Sequence, residues 1–202
     1  MKTLPVFRRT LLFLSPIVLV GMMELLVLPP FWQQAVIARP QNLTALKDAS
    51  TLSYHLTHPL HEVDGTSKDI DCTITYDETS QSIQSTTFSA DVMTFDSGNS
   101  NRDSHAMEVL DALTYPTVSF ASKTIKASAN DLDVVGDLTF HGQTKSVEFI
   151  AAQSIADGKL TVTGNANVSL TAFGIERPSL LMMPVQDTLR ISFKVVFPVQ
   201  GK

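Results

Sequence analysis

The chain has 202 residues, of which 44% are hydrophobic and 17% charged, so it is long enough for one globular domain and is not intrinsically disordered. Its formal net charge of −5 disfavours a nucleic-acid-binding protein that relies on a basic surface. The single cysteine, Cys72, excludes an intrachain disulfide framework and any CxxC zinc or redox motif.

The N-terminal segment combines early basic residues with the apolar run Leu11–Leu28. This order is typical of an export signal or a membrane anchor. The small-residue spacing of Val36-Ile37-Ala38 favours cleavage, whereas the flank Pro29–Trp32 favours a retained anchor; a buried core helix is the third interpretation. Residues 1–38 are therefore predicted to be a signal peptide or membrane anchor. The following domain is predicted to be periplasmic or otherwise extracytoplasmic, soluble after cleavage or tethered to the membrane.

Two short polar stretches flank the predicted domain. Residues 39–51 are interpreted as a linker and residues 198–202 as a tail. Because residues 1–40 hold four basic residues and one acid, the rest of the chain carries a net charge of −8. An acidic domain of this kind is not held on anionic lipid by charge.

From residue 52 onward, apolar residues recur at every second position. The clearest rows are Leu132/Val134/Gly136/Leu138/Phe140, Leu160/Val162/Gly164/Ala166/Val168/Leu170 and Leu189/Ile191/Phe193/Val195/Phe197. This period predicts antiparallel strands with one face towards water. About eight strands are predicted, over residues 52–58, 69–77, 83–95, 117–127, 132–140, 144–154, 159–170 and 187–197. Such a series makes a β-sandwich or a closed barrel.

One segment departs from the alternation. Residues Asp103–Leu113 place Ala106, Leu110 and Leu113 on one helical stripe, and Asp103 is the predicted N-cap. Tyr115-Pro116 then ends the helix. The pattern predicts one short helix inserted between the third and fourth strands.

Several motifs, in order along the chain, resemble those of the YceI-like family. They are Tyr54-x-x-x-His58-Pro-Leu-His61 with Gly65 after it, Asn99–Leu110 with Tyr115-Pro116-x-Val-Ser-Phe120, the hairpin Val135–Lys145, and Phe173-Gly-Ile-Glu-Arg-Pro178 followed by Asp187. The resemblance covers residues 52–197. It implies an all-β, lipocalin-like antiparallel eight-stranded β-barrel with one short inserted helix, preceded here by the N-terminal hydrophobic signal or anchor helix. It also implies export to the periplasm and binding of a polyisoprenoid chain inside the barrel.

Strand parity selects the residues that would face a ligand in the lumen. They are Val134, Leu138, Phe140, Val162, Gly164, Ala166, Val168, Ile191 and Phe193. The small residues in these rows either leave room for a ligand or only let strands bend and pack closely. The apolar loop Leu180–Met183 is either a flexible lip for a lipid chain or a plug of the barrel end.

Arg102 and His105 are candidates for contact with a polar or phosphate head group at the barrel mouth. The structural alternative is that Asp103 caps the helix and Arg102 pairs with a carboxylate. A hydrolase is not predicted, because Asp103, Ser104 and His105 are adjacent on a helix and do not face one another. The G-x-S-x-G motif is also absent from the sequence.

A metal site is not predicted from the histidines His55, His58 and His61. On a strand, His55 and His58 point to opposite faces, and two histidines are too few for structural zinc. No cofactor is expected, apart from a bound polyisoprenoid or quinone-like lipid.

The sequence therefore predicts a non-enzymatic, exported lipid-binding protein that holds a long apolar ligand as a carrier or reservoir. One alternative is an accessory module that presents a quinone-like ligand to a membrane redox protein. Another is a ligand-free stress or interaction protein with a filled barrel. The expected partner is an apolar lipid and not nucleic acid, and an uncleaved N-terminus would associate with the membrane.

Overall fold

The structure is a computed structural model that describes residues 40–129 and 131–199. The signal or anchor predicted for residues 1–38 lies outside the described residues. Residues 200–202 of the predicted tail lie outside them as well. Within the part of the chain that is described, no helix has the length and hydropathy needed to span a membrane.

Antiparallel strands account for most of the described chain. They are β1 (Gln41–Thr44), β2 (Thr51–His58), β3 (His61–Ser67), β4 (Ile70–Asp77), β5 (Ser82–Asp91), β6 (Thr117–Ser128), β7 (Asp131–Phe140), β8 (Gln143–Ala156), β9 (Lys159–Ser169), β10 (Ser179–Leu180), β11 (Met183–Pro184) and β12 (Thr188–Pro198). Ten of them form one sheet in the order β1-β4-β5-β6-β7-β8-β9-β12-β2-β3, and β10 and β11 form a separate hairpin. The predicted all-β antiparallel class is confirmed, with ten strands in the main sheet where eight were predicted.

The sheet curls, so that its edges approach each other. The Leu46 N–H, just after edge strand β1, donates to the Val196 carbonyl of β12 at 2.8 Å. At the other edge, Thr66 of β3 forms a bridge with Asp96, which follows β5. The curled sheet therefore encloses an interior, as a barrel does.

The interpretation of residues 39–51 as a linker is wrong for the described residues from 40 onward. Residues 41–44 form β1, and Lys47–Ala49 form a 3-10 turn. Ser50 is fully buried, and its hydroxyl accepts a hydrogen bond from the Val196 N–H at 3.0 Å. Hydrogen bonds that the backbone and the Ser50 hydroxyl of this polar segment form with β12 hold the segment in place. Such hydrogen bonds cannot be predicted from hydropathy.

The predicted strand 83–95 is too long and the strand β3 was missed. β5 ends at Asp91, whose carboxylate accepts from the Met93 N–H and starts the 3-10 turn Val92–Thr94. β3 has Val63, Gly65 and Ser67 on its inner face. Only one of these three is a large apolar residue, so the strand lacks the hydrophobic alternation used for the others.

The one α-helix among the described residues, α1, spans Ser100–Val109 between β5 and β6. The insertion of one short helix at this place is confirmed, but Asp103 is not its N-cap. Asn99 holds that position, and its side-chain oxygen accepts from the N–H groups of Asn101 at 3.1 Å and Arg102 at 3.2 Å. Because the helix starts and ends earlier than predicted, Leu113 lies beyond it in an exposed turn.

Buried side chains form two clusters at opposite ends of the long strands. The floor cluster comprises Ala45, Leu52, Ile70, Cys72, Ile74, Tyr76, Ile83, Ala90, Phe120, Leu132, Val134, Ala151, Leu160, Val162, Val195 and Phe197. The helix-end cluster comprises Val92, Ala112, Phe140, Val168, Leu170, Phe173, Ile175 and Val185, with Met107, Val109 and Leu110 packed against it. Leu132 and Phe140, at the two ends of β7, belong to different clusters, which leaves the middle of the barrel as the candidate site.

Candidate functional site

A cavity of about 720 Å³ occupies the interior between the two clusters. Its volume lies within the range of roughly 300–1,000 Å³ that is usual for ligand-binding sites. Inward side chains of β2 to β9 and β12 form its wall, together with α1 and the segment around β10. We call this cavity the lumen.

The lumen wall is apolar except for a small set of polar residues, most of them at one end. The polar residues are Tyr54, His58, His61, Thr86, Asn99, Asn101, Arg102, Asp103, His105 and Ser179. Five of them lie on α1 or its N-cap, so the polar end coincides with the helix end of the barrel. The lumen thus suits a ligand with a long apolar body and one polar terminus.

Eight of the nine residues predicted to face the lumen do line it. These are Val134, Leu138, Phe140, Val162, Ala166, Val168, Ile191 and Phe193. The exception is Gly164, which pairs with Phe193 across β9 and β12. A Cβ at Gly164 would lie 2.5 Å from the Phe193 Cζ atom, so this glycine makes space for the ring and not for a ligand.

Three aromatic rings narrow the middle of the lumen. Phe149 lies 5.5 Å from Phe120 and 5.6 Å from Phe193, measured between ring centroids. Gly136 makes space for the Phe120 ring in the same way, because a Cβ at Gly136 would clash with the Phe120 Cζ atom. Among the small residues of the predicted rows, the glycines therefore allow close packing, and Ala166 leaves space in the lumen.

The sequence prediction missed the contribution of β8 to the lumen. Val147, Phe149 and Ala151 line it, but Ile150 on the opposite face is exposed. Apolar residues on both faces of this strand obscured its parity. The pairing of Phe149 with the inward Val134 of β7 is the signal that identifies the inner face.

Arg102 lies on the lumen wall and holds the loop before α1. Its Nε donates to the Ser97 hydroxyl at 2.8 Å, and one terminal nitrogen donates to the Ser97 carbonyl at 2.5 Å. The Ser97 hydroxyl in turn donates to the Asp103 carboxylate at 2.5 Å. Among the described residues, Arg102 forms no ion pair within 4.0 Å, so the predicted pairing with a carboxylate is wrong: a hydroxyl and a carbonyl take that place.

His105 also lines the lumen, one turn further along α1. Its side chain is largely exposed, and its Nδ1 lies 3.7 Å from the Glu108 carboxylate. Arg102 and His105, predicted as a pair of head-group candidates, are thus brought to the same polar end of the lumen. A guanidinium has five N–H donors, and two of those of Arg102 are used by Ser97.

Two weakly acidic groups on the lumen wall are held in their neutral forms. Burial raises the pKa of the Tyr54 hydroxyl, and the negative charge of Asp103 raises it further. Burial also raises the pKa of the Cys72 thiol. A thiol kept protonated in this way is a poor nucleophile, so Cys72 is a packing residue of the wall.

The three histidines near β2 do not converge. His55 lies on the outer face, with its two ring nitrogens 2.7 Å from Asp64 and 3.0 Å from Glu62. His58 is buried, and its ring lies 4.7 Å from that of His61. Across residues 40–129 and 131–199, no three His, Cys, Asp or Glu side chains are grouped as metal ligands.

His58 instead fastens the rim of the lumen. Its Nδ1 accepts from the Leu60 N–H at 3.1 Å, which leaves Nε2 as the protonated nitrogen that donates to the Met183 carbonyl at 2.8 Å. Because Met183 belongs to β11, the histidine ties the β2–β3 turn to the hairpin β10–β11. That hairpin contributes Ser179 and Leu180 to the lumen wall, and its turn residues Leu181 and Met182 are exposed to solvent, so it lies at the rim and does not fill the barrel end.

Asp187 holds the segment that leads from β9 into this rim. Its carboxylate accepts from the Ser169 hydroxyl at 2.5 Å and from the Thr171 N–H at 2.8 Å. These hydrogen bonds lower the pKa of Asp187. The ionised carboxylate thereby fixes the 3-10 turn Thr171–Phe173, which packs Phe173 into the helix-end cluster.

Comparison with known proteins supports the relation that the motifs indicate. The family model described as "YceI-like domain" matches residues 44–197. The protein YceI of Escherichia coli O17:K52:H18 is 34% identical over 96 residues, which is 46% of this chain and 50% of that protein. The protein YceI of Salmonella arizonae is 34% identical over 85 residues, 41% of this chain and 44% of that protein. The chain spans about half the length of the curated relatives it matches.

Solved structures share the fold. BcnA of Burkholderia cenocepacia superposes with a TM-score of 0.68 at 23% identity, covering 75% of this chain and 98% of that one. A polyisoprenoid binding domain from Saccharophagus degradans superposes with a TM-score of 0.61 at 10% identity, covering 78% of this chain and 98% of that one. These likenesses confirm the predicted lipocalin-like fold class.

Proposed function

The chain belongs to the YceI-like family, and on that premise we propose that it is an exported lipid-binding protein, which holds a long apolar chain in its lumen as a carrier or reservoir. The observation that carries the proposal is the lumen of about 720 Å³ with an apolar wall and one polar end. The related domain from Saccharophagus degradans is described as polyisoprenoid-binding, which supports a polyisoprenoid as the ligand. Residues 1–38 are proposed to direct the export.

The shape of the lumen favours a long ligand over a compact one. Val162 and Val168 both line it and lie six positions apart on β9, which corresponds to about 20 Å of strand. A chain lying along this wall contacts the aromatic rings in the middle and reaches the polar end. A quinone-like ligand would fit the same lumen, but no contact among the described residues favours a redox partner over a simple carrier.

The energetics require an extended apolar contact. Burial of each CH2 group is worth roughly 0.8 kcal/mol, so two or three isoprene units supply on the order of 10 kcal/mol. Association costs roughly 4 to 15 kcal/mol. A long polyisoprenoid can therefore bind well, whereas a single isoprene unit, worth about 4 kcal/mol, should not. Because the barrel contains this lumen, we do not favour the alternative of a ligand-free stress or interaction protein, whose barrel would be filled by its own side chains.

Cys72 provides a native reporter of occupancy, because it lines the lumen and is the only cysteine. N-ethylmaleimide should modify it slowly in the empty protein. We expect a saturating long polyprenol to slow that modification by about tenfold or more, since the chain fills the lumen beside the thiol. Prenol, which has a single isoprene unit, should leave the rate unchanged at the same concentration. The modified fraction is measured by intact mass over time.

A surface thiol controls for reagent that partitions into lipid. The variant Cys72→Ser with Asn167→Cys carries its thiol on the exposed face of β9 and should react equally fast with and without polyprenol. If the wild-type rate also stays the same, the lumen does not take up the lipid and the proposed function is wrong.

Arg102 is proposed to meet the polar head group. Arg102→Ala removes the hydrogen bonds to Ser97 and should lower the free energy of unfolding by about 1 kcal/mol, as the group is partly exposed. Its affinity for a polyprenyl phosphate should fall more than its affinity for the neutral polyprenol, because only the phosphate gains from a charged donor. Calorimetric titrations with both lipids measure the difference.

Arg177→Ala is the matched control for Arg102→Ala. Arg177 donates to the Val185 carbonyl at 3.3 Å near the same rim, so its loss should also weaken a loop tether. Arg177 does not line the lumen, so Arg177→Ala should change the affinity for the polyprenyl phosphate and the affinity for the polyprenol by the same factor. Equal losses for the phosphate and the alcohol in Arg102→Ala would remove the head-group role.

A further inference from the structure

The hairpin β10–β11 projects apolar side chains into solvent at the lumen rim. Leu181 and Met182, the two turn residues, are 71% and 96% exposed. Leu180 before them is about half exposed and also lines the lumen. Leu60, in the neighbouring β2–β3 turn, is exposed as well. The hydrogen bond from His58 to Met183 joins the two turns at the rim, and we call these four exposed residues the rim patch.

The turn itself is built at a conformational cost. Leu181 and Met182 have φ angles of +54° and +63°, a left-handed conformation that bulky residues rarely adopt. Two-residue hairpins with this backbone normally use Asn, Asp or Gly. The β8–β9 turn follows that rule with Asp157-Gly158, and the β7–β8 turn follows it at its second position, Gly142.

Packing within the domain does not explain this departure, because the two side chains point into solvent. Leu181 and Met182 are the two large apolar residues among the described non-glycine residues with positive φ, and backbone strain that a fold retains is a reason to look for a function at that position. The strained turn also coincides with the largest exposure of apolar side chains on the rim, and the stretch 178–185 contains no charged residue.

From this geometry we propose that the rim patch docks on a lipid bilayer, with Leu181 and Met182 inserted among the lipids and the lumen mouth held against the surface. The proposal rests on the proposed function, since an isoprenoid chain that is insoluble in water must pass between bilayer and lumen. Leu180 lines the lumen and the next two residues, Leu181 and Met182, point into solvent, so three consecutive apolar side chains lead from the lumen wall to the tip of the hairpin. Insertion is apolar, because residues from 41 onward are acidic overall and are not attracted by anionic lipid.

A local probe in the full chain tests docking whether or not the N-terminal segment is retained. An environment-sensitive fluorophore is attached at Met182→Cys in a Cys72→Ser background, and the protein is mixed with phosphatidylcholine vesicles. We expect a blue-shifted emission and quenching by spin labels on the lipid chains, at low and high salt alike. The matched control is Thr79→Cys in the exposed β4–β5 turn at the floor end, which should remain in water.

A probe at residue 182 that is as water-exposed as the probe at residue 79 would overturn docking, and so would equal quenching at both positions. The Cys72 protection experiment separates this failure from failure of the proposed function. Protection without insertion leaves the carrier function standing and removes docking. Insertion without protection removes the carrier function, and the transfer role of the rim patch with it.

Transfer kinetics test the purpose of docking. Leu181→Ser with Met182→Ser should slow the movement of a fluorescent polyprenol between vesicles and protein by about tenfold or more, while the equilibrium affinity stays the same. Leu113→Ser is the control, because Leu113 is 93% exposed but lies outside the lumen wall. The double variant and the control variant change only exposed residues and should leave the fold intact, as circular dichroism can verify. Unchanged transfer in the double variant would contradict the proposal.

Discussion

Replacement of Ala166 by Phe is expected to remove most binding of a long apolar chain while the domain stays folded. Ala166 lines the lumen on β9 and pairs with Ile191, which also lines it. The added ring projects into open space, so the strain of overpacking, usually about 1–3 kcal/mol in a filled core, should be small. If the ring displaces about four CH2 groups at roughly 0.8 kcal/mol each, the affinity falls on the order of 100-fold.

Asn167→Phe is the matched control for this variant. Asn167 is the next residue on β9 and is exposed on the outer face, so the same ring placed there should leave lipid binding unchanged. Titration with a fluorescent polyprenol and a thermal melt of each variant measure affinity and stability. A much lower melting temperature for Ala166→Phe with unchanged affinity would mean that no ligand passes this point of the lumen.

Phe197→Ala should produce the largest loss of stability among single truncations at the floor. Phe197 is 1% exposed and packs in the floor cluster at the end of β12. Truncation of a buried Phe costs about 3–5 kcal/mol, because apolar contact is lost and a cavity remains. Urea unfolding measures the change in free energy.

Phe193→Ala supplies the comparison on the same strand. Phe193 lines the lumen and is only half-buried, so its removal should cost clearly less than removal of Phe197. The ratio of the two losses therefore reports whether the middle of the barrel is hollow. Equal losses would indicate that the interior around Phe193 is packed as tightly as the floor.

The long strands could be predicted from sequence because each combines an apolar face with a polar one. β7, β9 and β12 were located within a residue or two for that reason. β1 and β3 were missed, since their order comes from pairing with β4 and β2 and not from their own hydropathy. Local periodicity identifies a strand that buries its own apolar side chains. It does not identify a strand that is stabilised mainly by backbone pairing with an adjacent strand.

The site was predictable to the level of strand parity. Parity placed Ala166 and Val168 on the lumen wall, but it could not show that Phe193 covers Gly164, because cross-strand register is a tertiary property. The partner of Arg102 was missed for a related reason. A search for charges favoured a carboxylate, and the structure provides the Ser97 hydroxyl and carbonyl five residues earlier.

The central claim is that the lumen carries a long apolar chain, and the most direct test is native mass spectrometry of the full-length protein purified from its own host. We expect the wild type to carry an additional mass that, after solvent extraction, is identified as a long polyisoprenoid. The Asn167→Phe variant should carry the same lipid, and Ala166→Phe should be purified without it. A wild-type protein with no bound lipid, or an Ala166→Phe variant that retains the lipid in full, would contradict the account.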